Sequence, residues 1–299
     1  MNKKIILSTL ASALLLSTMA NAKGRKTHKQ MHNAFNISST SKTMNHCDIN
    51  TTIKYTQTEQ KIPTFSYDGN TSPSFWYQLS SEYATCEKGN YFTTVSKEKT
   101  HQSPINISNI KAKTPNFTLN FNMNIEFEIE NNGHTIELVP TEDFPKASIE
   151  IDSTIYTLQQ LHMHAHSEHS IDNAFADMEI HFVFQNEDEF ADSLHKYAVL
   201  GLFVNSDDNN SNNELEKVFT YNLPEKYTTN ESNIIINLEN LLPSNTMVYS
   251  YNGSFTTPPC TEYINWNIYA TSIGLKSSDL EKFKKKYNHN YRPVTGTFE

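Results

Sequence analysis

Short apolar runs, many alternating with polar residues, recur along the chain from about residue 65 onward. FTLNFNMNIEFEIENNG (117–133) alternates with a period of two and stops at an Asn-Asn-Gly turn, which predicts a strand; HTIELVP (134–140) follows as the next. ASIEIDSTIYTLQQLHMHAH (147–166) contains two more strand-like runs. MEIHFVFQN (178–186), KYAVLGLFVN (196–205), NIIINL (233–238) and NWNIYATSI (265–273) continue the series. Helical signals are few. SSDLEKFKKKY (277–287) offers a capping box, Ser278 with Glu281, and NELEKVF (213–219) is a second short candidate. NSDDNNSNN (205–213) reads as an exposed loop, and no repeat of fixed period is present. The pattern predicts a mainly β single domain with short peripheral helices.

The ends change this picture. Residues 1–22, MNKKIILSTLASALLLSTMANA, place Lys3 and Lys4 before an apolar run and close on Ala20-Asn21-Ala22, the form of a secretory signal peptide. The apolar part is short for a membrane span, and no later stretch approaches spanning length. Residues 23–62 are rich in Lys, Asn, Ser and Thr and read as a basic, flexible extension; 63–299 is then one domain, long enough for a single large core. Removing Lys3 and Lys4 takes the net charge from -9 to -11, and the extension holds seven basic residues against Asp48 and Glu59. The body is therefore strongly acidic, which argues against nucleic acid as a partner. An exported protein with three cysteines suggests one disulfide and one odd thiol. Cys86 and Cys260 lie in the body and are expected to pair; Cys47 lies in the extension, free or joined to another chain.

Five of the 12 histidines fall between residues 158 and 184: His162, His164, His166, His169 and His181. Residues two apart on a strand share a face, so His162 and His164 can aim at one point, and His166 extends the same face. His181 lies on the following strand-like run, which a hairpin brings alongside. Three neutral imidazoles on rigid strands suit Zn²⁺ with the fourth tetrahedral position open, the catalytic arrangement. Spacing alone leaves 162/164 and 164/166 as alternatives. A ligating histidine usually donates its other N–H to a fixed acceptor, and Gln160 beside His162 and Glu179 beside His181 favour 162, 164 and 181. A histidine-rich surface hairpin, a zinc-storage module and a cupin-type site are the alternatives; the last lacks its flanking glycines, with Tyr156 and Phe175 at those places.

Distant segments narrow the choice. QSPINI (102–107), NNGHTIEL (131–138), LHMHAHSEH (161–169), MEIHFVF (178–184), AVLGLF (198–203), YNGSFTTPPCTEYINW (251–266) and NYRP (290–293) occur in one order, and together they resemble an α-class carbonic anhydrase of the exported bacterial kind, over roughly residues 65–293. The resemblance implies that family's fold, a single domain on a large central, mostly antiparallel twisted sheet. It implies reversible hydration of carbon dioxide to bicarbonate and a proton by zinc-bound hydroxide, the zinc acidifying its water to about pKa 7, an effect for which carbonic anhydrase is the standard example.

Carried onto this chain, the resemblance makes His162, His164 and His181 the zinc ligands. Gln160, the carbonyl of Asn290 and Glu179 stand behind them, and His169 becomes a buried structural residue near Glu179. His166 is incidental. Thr256 would orient the hydroxide and donate to Glu168, and Thr257 would line the bicarbonate pocket. His134 would shuttle protons, suited by an ordinary imidazole pKa of about 6.5, with Tyr67 and Asn132 ordering the water between. Val183, Val199, Phe255, Ile264 and Trp266 would form the apolar wall for carbon dioxide, Phe255 replacing the leucine common there. The Cys86–Cys260 bridge also matches one common among bacterial members. Sulfonamide and anion inhibitors and a homodimer follow from the same likeness, while the signal-peptide-like start leads us to expect a periplasmic or secreted location. A catalytically inactive, carbonic-anhydrase-like binding or adhesion protein is the rival reading, although such proteins typically lack one or more ligand histidines.

Overall fold

The computed structural model describes residues 64–87, 102–121, 124–142, 146–188 and 196–298. The expected signal peptide and the whole of the basic extension, Cys47 included, lie outside the described residues.

The alternating runs form strands, but FTLNFNMNIEFEIENNG, read as one, gives two, Phe117–Asn120 and Asn124–Asn131, which pair with different strands. In chain order they are β1 (Ile105–Ile107), β2 (Phe117–Asn120), β3 (Asn124–Asn131), β4 (Ile136–Pro140), β5 (Ser148–Ile151), β6 (Thr154–His164), β7 (Ser170–Ile171) and β8 (Ala174–Phe175). There follow β9 (Met178–Gln185), β10 (Tyr197–Ser206), β11 (Thr228–Thr229), β12 (Ile234–Asn237), β13 (Val248–Ser254), β14 (Glu262–Tyr269), β15 (Ile273–Leu275) and β16 (Gly296–Phe298). The central sheet runs β11-β3-β4-β6-β9-β10-β14-β13, and β16-β1-β7-β8 make a small second sheet. Neighbours in the large sheet are antiparallel except where β10 meets β14 and β15, which run parallel to it. The fold is thus the mainly β, mostly antiparallel architecture expected.

Side-chain alternation gives the large sheet two faces. Ile180, Phe182 and Phe184 of β9 and Leu200 and Leu202 of β10 point into the main core, with Phe219, Leu280 and Phe283 packed over them from helical segments. The other face, with Val183, Val199 and Trp266, lines the cleft. On β6 the pattern changes midway. Tyr156 and Leu158 belong to the main core, yet so do Leu161 and Met163, three and five positions beyond Leu158. A register shift between Leu158 and Gln160 explains it: Leu158 opposes Phe184, whereas Gln160 opposes Val183. The extra residue, Gln159, forms a β-bulge, which reverses the face presented by everything after it. Gln160, His162 and His164 therefore leave the core face and enter the cleft.

One local expectation is corrected. The helix Ser277–Lys284 is not started by a Ser278–Glu281 capping box; Lys276 precedes it without a side-chain cap. Asp208, from the loop after β10, accepts from the Ser277 N–H at 2.7 Å and from its Oγ at 2.9 Å, meeting the free donors at the helix start from outside the helix. That loop begins at Asp207, since Asn205 and Ser206 complete β10. Among the described residues no helix is long and apolar enough to cross a membrane.

Candidate metal centre and active site

His162 on β6 and His181 on β9 stand directly opposite each other in the antiparallel ladder, and His164 follows two places on. All three are buried, and their ring nitrogens converge within 4.8 Å of one another. The hydrogen bonds behind them set which nitrogen faces inward. His162 donates Nδ1–H to Gln160 Oε1 at 2.8 Å, His164 donates Nδ1–H to the Asn290 carbonyl at 2.5 Å, and His181 donates Nε2–H to Glu179 Oε1 at 2.9 Å. The inward atoms are therefore Nε2 of His162 and His164 and Nδ1 of His181, each carrying a lone pair.

This arrangement fits a metal ion. Two lone-pair nitrogens, His162 Nε2 and His181 Nδ1, lie 3.3 Å apart with no proton to share. Ligands about 2.05 Å from a tetrahedral zinc would be separated by about 3.3 Å. His164 Nε2 is buried and has no hydrogen-bond partner among the described residues, a costly state unless a cation satisfies it. Burial also keeps the imidazoles neutral, as ligands must be. It lowers His162 well below the ordinary value, helped by His164 and His181; it takes His164 down to about 4 and lowers His181 against the pull of Glu179. His169 is held outside this focus, donating Nδ1–H to Glu179 Oε1 at 2.8 Å and contacting Tyr251 Oη at 2.7 Å through Nε2. Burial alone would raise Glu179, but His169 and His181 hold it well below the usual range, so an ionised carboxylate lies behind the ligands. His166 turns away: its ring stacks on Tyr291 at 3.8 Å and lies against Phe175 at 4.4 Å.

Glu168 lies beside the focus, with Oε2 3.5 Å from His164 Nε2 and 3.9 Å from His181 Nδ1. Its Oε1 accepts the Arg292 N–H at 2.7 Å. Burial pushes the carboxyl up to about 7, against the opposing pull of His181, the Arg292 N–H and the Thr256 hydroxyl. Thr256 is itself buried, on the loop after β13. Cys260 anchors that loop by a disulfide to Cys86, with Cα atoms 5.1 Å apart, and Thr85 Oγ1 donates to the Pro259 carbonyl at 2.5 Å.

His134 sits on the turn between β3 and β4, half-buried. Gly133 before it has φ +91°, and a Cβ there would fall 2.4 Å from the Tyr227 ring, so the turn requires glycine. The His134 ring stacks on Phe65, centroids 4.0 Å apart and planes 8° from parallel. Asn132 Oδ1 accepts the N–H groups of His134 and Thr135, both at 2.9 Å, and its Nδ2 donates to Glu137 Oε2 at 3.0 Å. Its amide thus holds both the turn and the Glu137 carboxyl in place. Tyr67, raised well above the ordinary phenol by burial and by nearby Glu168, lies on the same side and packs edge-on to Trp76. Val183, Val199, Phe255, Ile264 and Trp266 come together in one apolar cluster beside the imidazoles, with the Trp266 ring 4.9 Å from that of His181. Thr257 is half-buried next to Thr256.

The sequence profile described as eukaryotic-type carbonic anhydrase matches residues 81–297. The chain belongs to this family, in its α class. A carbonic anhydrase of Klebsiella pneumoniae is 31% identical over 235 residues, 77% of this chain and 86% of that protein. One from Neisseria gonorrhoeae is 30% identical, covering 77% and 83%. Among solved structures, the α-carbonic anhydrase of Thermovibrio ammonificans in complex with sulfanilamide is 32% identical at a TM-score of 0.66, covering 78% of this chain and 95% of that one. Dioscorin, solved with ascorbate, shares the fold at 24% identity and a TM-score of 0.63, covering 77% and 93%.

Within this carbonic anhydrase, three site residues escaped sequence reasoning. Arg292 and Gln102 fall inside motifs that carried the resemblance, NYRP and QSPINI, but no role was read for them; the Arg292 guanidinium in fact donates to Gln102 Oε1 at 2.9 Å and to the Cys86 carbonyl at 2.9 Å. Glu137 lies within HTIELVP, and no role was read for it either. Only the register, which sets it opposite His162, reveals that its face is the cleft.

Proposed function

We propose that the chain catalyses the reversible hydration of carbon dioxide to bicarbonate and a proton, with zinc held by His162 Nε2, His164 Nε2 and His181 Nδ1. The observation that carries this reading is the convergence of those three lone pairs, each with its other ring nitrogen tied to Gln160, Asn290 or Glu179. Zinc bound there supplies Lewis acidity, allowing water to ionise near neutral pH, as carbonic anhydrases generally illustrate.

The chain's own residues divide the remaining work. Thr256, its hydroxyl directed to Glu168, offers lone pairs that orient the attacking hydroxyl, and Arg292 fixes Glu168 in turn. Carbon dioxide is uncharged, so the apolar wall of Val183, Val199, Phe255, Ile264 and Trp266 holds it without competing for charge. His134, half-exposed on its turn, receives the released proton and passes it to buffer. Sulfonamides and small anions act as inhibitors at the same site, and the signal-like start places the enzyme outside the cytoplasm.

Stopped-flow hydration of carbon dioxide with a pH indicator tests the reading. The zinc-loaded wild type should accelerate hydration and the His162→Ala variant should not. Equal rates for the two would leave only a binding protein with this fold.

A further inference from the structure

One row of side chains crosses the cleft face of the sheet. Glu130 on β3 opposes Glu137 on β4, Glu137 opposes His162 on β6, and His162 opposes His181 on β9. Directly opposed residues of an antiparallel ladder project to the same face, with Cβ atoms about 4.5–5.5 Å apart. A carboxylate therefore stands next to the first imidazole of the focus. The Asn132 amide fixes its direction: Oδ1 is occupied by two backbone N–H groups, so Nδ2 must point at Glu137 Oε2. No cationic side chain pairs with Glu137 among the described residues. The cleft thus has an apolar wall on the β9-β10-β14 side and, on the β4 side, a wall carrying a carboxyl with no cationic partner; burial and Glu130 push it up to about 7, so it is ionised in mildly alkaline solution.

We infer that Glu137 is a specificity-determining residue that discriminates against anions in favour of neutral ligands at this centre. The inference rests on the proposed function, since it concerns ligands that reach the zinc held by the three histidines. Carbon dioxide carries no charge and enters unhindered. Bicarbonate and monovalent inorganic anions approach the same point against the Glu137 carboxylate, so they bind more weakly and leave sooner. A neutral amide at this position would keep the acceptor that Asn132 needs while removing the repulsion.

The test is calorimetric titration of thiocyanate into zinc-loaded wild type and Glu137→Gln at mildly alkaline pH, at low and at high salt. Glu137→Gln should bind thiocyanate about threefold or more tighter at low salt, the size expected of one charge facing another across a partly solvated cleft. The advantage should shrink at high salt, because exposed charges are screened. Glu130→Gln, one strand further from His162, should give a smaller change. An unchanged dissociation constant in folded Glu137→Gln, or no thiocyanate binding by either protein, overturns the inference. Failure of the wild type to hydrate carbon dioxide, with the thiocyanate difference intact, would count against the proposed reaction and not against Glu137.

Discussion

The main-chain N–H of Arg292 donates to Glu168 Oε1 at 2.7 Å, while its guanidinium, buried behind the site, donates to the Cys86 carbonyl at 2.9 Å. Burial lowers this guanidinium to about 10, so it stays charged at neutral pH. One residue thereby joins the disulfide to the carboxyl beside the metal focus. The other half-cystine, Cys260, lies four residues past Thr256 and pins its loop. Cys86 and Cys260 are thus coupled to both partners of the Thr256–Glu168 pair.

Reduction of the Cys86–Cys260 bond should lower the unfolding temperature and the hydration rate together. The bond spans 174 positions, a loop whose closure is worth up to about 5 kcal/mol by chain entropy and often less in practice. Calorimetry and stopped-flow with and without reductant check this. A non-reducing peptide map joining Cys86 to Cys47 would contradict the assignment, as would full activity after complete reduction.

The metal-free protein should lose stability on acidification because of its ligands. His164 has an ordinary value of 6.5 and a folded value of about 4. Between those limits the unfolded chain binds a proton that the native site refuses, so stability falls as pH falls through the window. Glu168, raised from 4.5 to about 7, acts in the opposite sense: the native state keeps a proton the unfolded chain has lost, and stability falls as pH rises across that range. Urea unfolding at several pH values should show a shallower acid loss in His164→Gln than in wild type, and a smaller loss toward pH 7 in Glu168→Gln. Parallel curves for all three would refute both assignments.

His134→Ala should slow hydration in weak buffer by up to about a hundredfold, the lower end of what one positioned acid–base group contributes. Small imidazoles added to the solution should restore much of the rate. Phe65→Ala, which frees the ring at 4.0 Å, should alter the buffer dependence while leaving zinc content intact. No rescue by imidazole would remove His134 from the proton path.

Deleting Gln159 should abolish zinc binding even in preparations that retain β structure. The bulge is what turns His162 and His164 out of the core face, and a one-residue slip reverses every side chain beyond it. Metal analysis with circular dichroism checks this, and full zinc occupancy in the deletion variant would contradict it.

This bulge also marks where sequence reasoning stopped. Alternation within FTLNFNMNIEFEIENNG and MEIHFVFQN was legible because each strand keeps one parity throughout, and the i, i+2 histidines with Gln160 and Glu179 behind them were legible for the same reason. On β6 the parity changes at Gln159, and nothing in Leu158-Gln159-Gln160-Leu161 distinguishes a bulge from continued strand. The start of the helix Ser277–Lys284 was misread because its cap, Asp208, comes from a loop 69 residues earlier, a contact that local spacing cannot express. Glu137 and Arg292 were missed on similar grounds: Glu137 faces His162 across a strand pair and Arg292 meets Glu168 on the loop after β6, neighbours that the fold brings together and local spacing cannot express.

Zinc content per chain after loading and extensive dialysis tests the central claim most directly, measured for wild type and for His162→Ala, His164→Ala and His181→Ala. One zinc per wild-type chain, with marked loss in each single variant, is the predicted result. Equal zinc retention by wild type and all three variants would contradict the metal centre itself.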